Sequence, residues 1–340
     1  MLEHVIIKRF QWFESWHGSC MCFIGDQISN NKGVESTYMN LQSLVEKATH
    51  IENSTVAVAA AEDREVLGAV SMAVEKNMAE FLLFGDKEEI SSLIEEVAPQ
   101  LRSHSSIKII HAFSSQKAAE LAVKAVKENE AGALMKGNVP TAVILKAVLN
   151  KEWGLRTGNV LSHVAAFEVG GFDKLTFVTD AAMNISPDLQ QKAQIIENAV
   201  EVARSIGVNN PKVAPIAAVE VVNPAMQATV DAASLTMMNQ RGQIKNCTVD
   251  GPLALDNAVS PHAAEHKGIK GDVAGQADIL LVPNIETGNA LYKSLIYFAK
   301  AKVGAVIAGA KAPIVLTSRA DSAESKLYSL ALAICSASNK

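Results

Sequence analysis

Cysteine is scarce in this chain: four residues in 340, at Cys20, Cys22, Cys247 and Cys335, too few for a disulfide framework and in keeping with a reducing compartment. Aromatic residues make up only 5 %. No apolar run reaches the roughly 18–20 residues that a membrane helix requires. The first twenty residues carry scattered charges and no useful apolar stretch, so no secretory signal is expected. An excess of basic charge is missing too. Lys and Arg number 31 against 36 Asp and Glu, a net charge of −5, so no basic field draws nucleic acid or an anionic membrane. The fingerprints G-x-x-x-x-G-K-[ST] and G-x-G-x-x-G are absent, which speaks against nucleotide hydrolysis and dinucleotide oxidoreduction. These absences lead to the expectation of a soluble, cytoplasmic protein that meets any anionic ligand with a local cluster of cations.

What is present is an apolar fraction of 49 %, with a fifth of the residues charged, the balance of an Ala/Val/Ile/Leu-rich α/β enzyme. Residues 1–38 differ in texture from the rest. They hold two of the three tryptophans and two of the four cysteines, followed by the polar stretch DQISNNKGVEST. They are expected to be a non-native or disordered extension, with translation beginning at Met39; the alternative is a helix clamped on by Trp12, Phe13 and Trp16. His17, Cys20 and Cys22 supply three soft ligands without the paired knuckles of structural zinc, and no metal site is expected.

From Met39 onward, helical and strand spacing alternate. TVAVAAA, EFLLFGD, IKIIHAF and AGALMKG read as strands separated by amphipathic helices, the βαβα rhythm of a doubly wound, mainly parallel sheet. LSHVAAFEV and KLTFVTDAA read as a hairpin turning at Gly170–Gly171. SPDLQQKAQIIENAVEVARSIGV reads as a long helix with Ser186 as N-cap and Pro187 at its first position. KVAPIAAVEV, CTVDGPLAL and ADILLVPNI read as further strands, and DSAESKLYSLALAICSAS as a closing helix.

Ligands of open parallel sheets bind where strands turn into helices, and several such turns here carry polar residues. Thr317-Ser318-Arg319 joins hydroxyls, a guanidinium and free N–H groups at a helix start, the makings of a phosphate cradle; the plainer use is a helix cap, with Arg319 paired to Asp321 or Glu324. Lys136, Lys146 and Arg156 gather near the glycine turn at Gly137, or simply face solvent. Asp180 ends an apolar strand, as a base, a substrate-orienting carboxylate or a turn residue. Asn284, Glu286 and Asn289 lie on a turn where amides hold a ligand or bridge loops. Cys247 lacks a nearby histidine and reads as a core residue. His262 and His266 stand four apart in an apparent loop without a carboxylate partner.

Taken together, AVAAAEDREVL, FVTDAAMNISP, VDGPLALDNAV, ADILLVPNIETGNALYK and LTSRADS resemble, in the same order, the phosphate acetyl/butyryltransferases. The resemblance runs from about Met39 to the C-terminus and includes P-N-x-E-x-G-N-x-x-Y-K at Pro283–Lys293. It is stronger toward the butyryl branch, since MKGNVPTAVILKAVL stands where the acetyl branch has an S-G-A stretch. It implies a two-domain, three-layer α/β/α fold akin to isocitrate and isopropylmalate dehydrogenases, with residues 39–156 plus 308–340 in one domain and 157–307 in the other. The active site would lie in the cleft between them.

A homodimer is implied, as are acyl-CoA and inorganic phosphate as substrates with no permanently bound cofactor, and an acyl kinase as functional partner. The Ser318–Arg319 turn becomes the phosphate and transition-state element. Lys136, Gly137, Lys146, Arg156, Asp180, Asn284, Glu286 and Asn289 become substrate-binding residues. The family's proposed base, seven residues after the turn serine, is replaced here by Ser325, which leaves Asp321 as the expected base, with Glu324 or a more distant group as alternatives. Acetyl transfer is the alternative within the chemistry. A metal- and NAD-dependent hydroxyacid dehydrogenase and a non-catalytic CoA-binding protein are the alternatives outside it.

Overall fold

The computed structural model describes residues 39–317 and 321–338. The expectations for residues 1–38, and those for Ser318 and Arg319, lie outside the described residues. The strands are β1 (Thr55–Ala59), β2 (Glu80–Gly85), β3 (Ile107–His111), β4 (Ala133–Lys136), β5 (Ser162–Glu168), β6 (Thr176–Thr179), β7 (Lys212–Pro215), β8 (Thr248–Val249), β9 (Ile279–Leu281), β10 (Lys302–Ala308) and β11 (Ile314–Val315). They form a single sheet in the order β3-β2-β1-β4-β11-β10-β5-β6-β9-β7-β8. Seven of the ten pairings are parallel; the three antiparallel ones, β11–β10, β10–β5 and β5–β6, lie together in the middle.

The helices between them are α1 (Leu41–Thr49), α2 (Arg64–Glu75), α3 (Lys87–Val97), α4 (Ser115–Lys127), α5 (Thr141–Val148), α6 (Leu189–Ser205), α7 (Gln227–Gln240), α8 (Leu255–Val259), α9 (Pro261–His266), α10 (Ile285–Tyr297) and α11 (Ala323–Ala337). Most begin at a side-chain cap of the expected chemistry: Asn40 and Ser43 form a capping box on α1, Asp63 caps α2, and Ser114 caps α4. Such a cap satisfies an otherwise orphan N–H and contributes about 1 kcal/mol.

Several expectations are corrected. The long helix starts at Leu189, not at Ser186, because Asp188 and Gln191 form a reciprocal capping box. That box satisfies two N–H groups at once. The β5–β6 hairpin exists, with Gly171 at φ 86°, but seven residues (169–175) separate its strands. The strand expected over 247–255 shrinks to β8 plus a bridge between Ile216 and Leu253, and 212–221 shrinks to β7. His262 and His266 are on the short helix α9 rather than in a loop, with their rings stacked 6.2 Å apart.

Side chains alternate across a strand, so the register decides which residues share a face. Ile307 pairs with both Ile314 and His163, and Ile314 pairs with Leu134. Leu134, Ile314, Ile307 and His163 therefore form one row across four strands on one face. The opposite face carries Met135, Val315, Val306 and Val164 and packs on α1, α2, α6 and α11 in one continuous apolar core. The row's own face is covered differently. One apolar cluster under α4 and α5 includes Leu134, Ile314 and Ile307. A second, under α8, α9 and α10, includes Ala165, Phe167, Val303 and Ala305. The boundary between the two falls at His163.

Candidate active site

Two of the expected residues are buried at the ends of their strands, for reasons set by those strands. Lys136 is the last residue of β4, two beyond Leu134 and therefore on the same face, and is only 7 % exposed. Its Nζ donates to Gly137 O at 3.1 Å. Gly137 is required by space: a Cβ there would lie 2.0 Å from Ala60 O and 2.9 Å from Ala59 O. The turn is thereby pressed against the end of β1, with Gly137 N donating to Ala59 O at 2.8 Å and Asn138 N to Ala60 O at 2.6 Å. Close backbone approach of this kind is what glycine permits.

Asp180 follows β6 and is 3 % exposed. Its Oδ1 accepts N–H bonds from Ala182 and Met183 at 2.9 and 3.0 Å, and its Oδ2 accepts from the N–H and Nδ2 of Asn184 at 3.1 and 2.6 Å. Four donors fill a carboxylate's capacity, so Asp180 shapes the 180–184 turn. Asn184 also donates to Leu161 O at 2.8 Å. Helix α10 lies on this turn through Gly288, where a Cβ would meet Asp180 O at 2.6 Å and Ala181 Cα at 2.9 Å. Asn284 caps α10 by accepting the Thr287 N–H at 3.0 Å. Glu286 and Asn289 are exposed on its first turns, Lys146 is exposed on α5, and Arg156 is exposed in the loop that follows.

The sequence reading misses three residues that the fold brings into play. His163, buried on β5 and 7 % exposed, has an Nδ1 with no hydrogen-bond partner. Burial lowers its pKa, while the carboxylates of Asp180 and Asp321 pull it upward. Its ring meets that of Tyr292 edge-on at 5.7 Å, and Tyr292 also meets Phe167 at 5.2 Å. Burial and the charge of Asp321 raise the Tyr292 pKa, keeping the phenol protonated. Lys326, on the first turn of α11 and 2 % exposed, donates to the main-chain O of Asp321 at 2.5 Å. Only Tyr292 has a signal in the sequence, as part of the Pro283–Lys293 run. His163 is hidden in an apolar strand and Lys326 in an amphipathic helix.

The cap of α11 is Ser322, whose Oγ accepts the Ser325 N–H at 3.2 Å. The plainer alternative, in which a residue of the Thr317–Arg319 turn caps this helix, is not what is seen, since Ser322 is the cap. Glu324 accepts from Tyr328 Oη at 2.6 Å and Lys302 Nζ at 3.3 Å, and both hold its carboxyl below the usual range, Tyr328 most of all. Cys247 is buried and its thiol is pushed up to about 11 by burial, so it is an inert core residue. A groove of about 760 Å³ lined by Glu197, Glu201, Arg204 and Lys245 lies along α6 and contains none of these residues. Among the described residues, no three His, Cys, Asp or Glu side chains group as metal ligands, and no helix is long and apolar enough to cross a membrane.

Residues 99–334 match the family model described as phosphate acetyl/butaryl transferase. A "probable phosphate butyryltransferase" of Bacillus subtilis (strain 168) is 60 % identical over 297 residues, covering 87 % of this chain and 98 % of the relative. The phosphate butyryltransferase of Clostridium beijerinckii is 50 % identical over 302 residues, covering 88 % and 99 %. The crystal structure of a branched-chain phosphotransacylase from Enterococcus faecalis V583 superposes with a TM-score of 0.73 at 38 % identity, covering 84 % of this chain and 99 % of that one.

Proposed function

The chain belongs to the phosphate acetyl/butaryl transferase family, and from that premise we propose that it is a phosphate butyryltransferase, converting butanoyl-CoA and inorganic phosphate to butanoyl phosphate and CoA. The observation that carries the site's place is the break in apolar cover along one face of the sheet, which falls at His163, with Lys136 on the same face three strands away. Three strand spacings are roughly 14 Å, enough to seat a thioester and a phosphate side by side. In this reading the break is the cleft between two α/β halves, 39–156 plus 308–340 and 157–307, as in isocitrate and isopropylmalate dehydrogenases.

The chemistry asks for little covalent help. A phosphate oxygen attacks the thioester carbonyl, the carbon–sulfur bond breaks, and the proton of the phosphate ends on sulfur. Cations must hold the dianion in line, and donors must meet the tetrahedral oxyanion. Ser318 and Arg319 take the phosphate and oxyanion, and Lys136, beside the tight Gly137 turn, takes the phosphate. Lys146 and Arg156, exposed on the α5 side, take phosphates of CoA. Asp180, Asn284, Glu286 and Asn289 shape the opposite wall, and Asp321 faces His163 and Tyr292. CoA and phosphate enter as substrates and no resident cofactor takes part. A homodimer in the cytoplasm, feeding an acyl kinase, completes the reading.

Thiol release measured with acetyl-, butyryl- and isobutyryl-CoA in the presence of phosphate tests it. Butyryl-CoA is expected to give the highest kcat/KM, with each methylene worth ~1–3 kcal/mol in an apolar pocket; preference for acetyl-CoA would move the enzyme to the acetyl branch. Arg319→Gln is expected to lower kcat by ~10²-fold or more, as loss of an oxyanion donor does. A folded variant with near-full activity would show that the turn is not the phosphate site.

A further inference from the structure

The transfer moves one proton from phosphate to sulfur, and two carboxylates, Asp180 and Glu324, are poorly placed to carry it. Asp180 has four N–H donors on its two oxygens. Glu324 is held by Tyr328 and Lys302. Ser325, at the third position of α11, donates its N–H to the Ser322 cap, and its carbonyl accepts from Ser329 Oγ at 2.9 Å. His163 differs from all of these. It is on the floor of the break between the two apolar clusters, and its buried Nδ1 has no partner. A buried polar atom without a partner costs about 1–3 kcal/mol, a cost recovered if a substrate group completes the bond.

Taking the phosphate acyltransferase reading as given, we propose that His163 is the proton carrier of the reaction. As the phosphate oxygen bonds to the carbonyl carbon, the imidazole takes the phosphate's proton. As the carbon–sulfur bond breaks, the imidazolium gives that proton to the departing sulfur. In reverse, the ring deprotonates the CoA thiol, and the proton returns to phosphate. Bonds and protons balance, and nothing is oxidised or reduced.

The surroundings suit both halves of the cycle. Burial keeps the ring neutral at rest, which a base requires, while Asp180 and Asp321 favour the imidazolium once it forms. Among the described residues, the titratable groups facing the ring are Asp180 from the end of β6, Asp321 from the segment entering α11, and Tyr292 from α10. β10, which pairs with β5 on its other side, offers Ala305 and Ile307 on this face. Asp321, expected from the sequence to be the base, becomes the charge that steadies the ring, and Tyr292 positions it.

The experiment is the pH profile of kcat for the wild-type protein, His163→Gln and His163→Asn, with KM for acyl-CoA and thermal stability measured alongside. A folded variant is expected to lose ~10²–10³ in kcat, to keep KM within about threefold, and to lose the acid limb that a neutral imidazole base with a lowered pKa gives below about pH 6.5. A folded variant within threefold of wild-type kcat, or one that keeps the acid limb, overturns the proposal while the acyltransferase reading stands. A wild-type protein inactive on every acyl-CoA overturns both. If neither variant folds, the wild-type profile decides: a one-proton acid limb supports His163 and a flat profile overturns it.

Discussion

Burial lowers the pKa of His163 from its ordinary value, against the upward pull of Asp180 and Asp321, and this difference couples the residue to folding as well as to catalysis. The unfolded chain takes up a proton near the ordinary value of about 6.5, whereas the folded chain resists it. Below that pH the unfolded state therefore binds more protons, and stability rises with pH through the window between the folded and unfolded values. Acidification from neutrality is expected to remove the His163 contribution first at about pH 6.5 and to go on removing it until the folded ring titrates. Urea unfolding from pH 7.5 to 5 should show this slope in the wild-type protein and a shallower one in His163→Gln, whose amide does not titrate. Equal slopes would mean that the ring is solvated in the folded state.

Helix α10 shows how an element transmits position to the site. Its first turn is pinned on the 180–184 turn through Gly288, where a Cβ would come within 2.6 Å of Asp180 O and 2.8 Å of Val282 Cγ2. Neither a carbonyl nor a packed valine yields without moving the helix, so Gly288→Ala is expected to lift the N-terminal end of α10 and carry Tyr292 away from His163. A displacement of ~1 Å near reacting groups costs ~10²-fold in rate. The variant should thus lose kcat much more than it loses Tm, as steady-state kinetics and thermal unfolding together would show; unchanged kinetics would mean that α10 does not set the ring geometry. The glycine is visible in the sequence run Pro283–Lys293, but its reason is not.

The same distinction runs through the rest of the chain. Strands such as TVAVAAA are legible because an apolar run bounded by turn residues has few alternatives, and Lys136, Asp180 and Asn284 are legible because they interrupt such runs at their ends. His163 is not, because one imidazole inside LSHVAAFEV looks like any strand residue until the register puts it opposite Ile307. Ser186 loses the helix start to Asp188 because the deciding partner, Gln191, is three residues further on. The pairing of two distant halves through β11–β10–β5 is set by contacts that no local pattern encodes.

At the scale of the whole molecule, the two faces of the sheet make different demands. On one face the core is continuous from β1 through β4, β11, β10 and β5 to β6, β9 and β7, tied together by α6 and by α11, whose Ser336 Oγ lies 3.2 Å from Ser205 Oγ of α6. On the other face the cover is divided into two clusters. A division on both faces would let the halves melt independently, whereas a core shared on one face couples them. Scanning calorimetry at fixed protein concentration is expected to show one cooperative transition across both halves rather than two. In the proposed reading, CoA is seated over the divided face and binds the folded state alone. At about 100 times its Kd it should add ~2.7 kcal/mol and raise the whole transition by a few degrees without splitting it. Two resolved transitions, with CoA moving only one, would show that the shared face does not couple the halves and that each α/β half folds as its own unit.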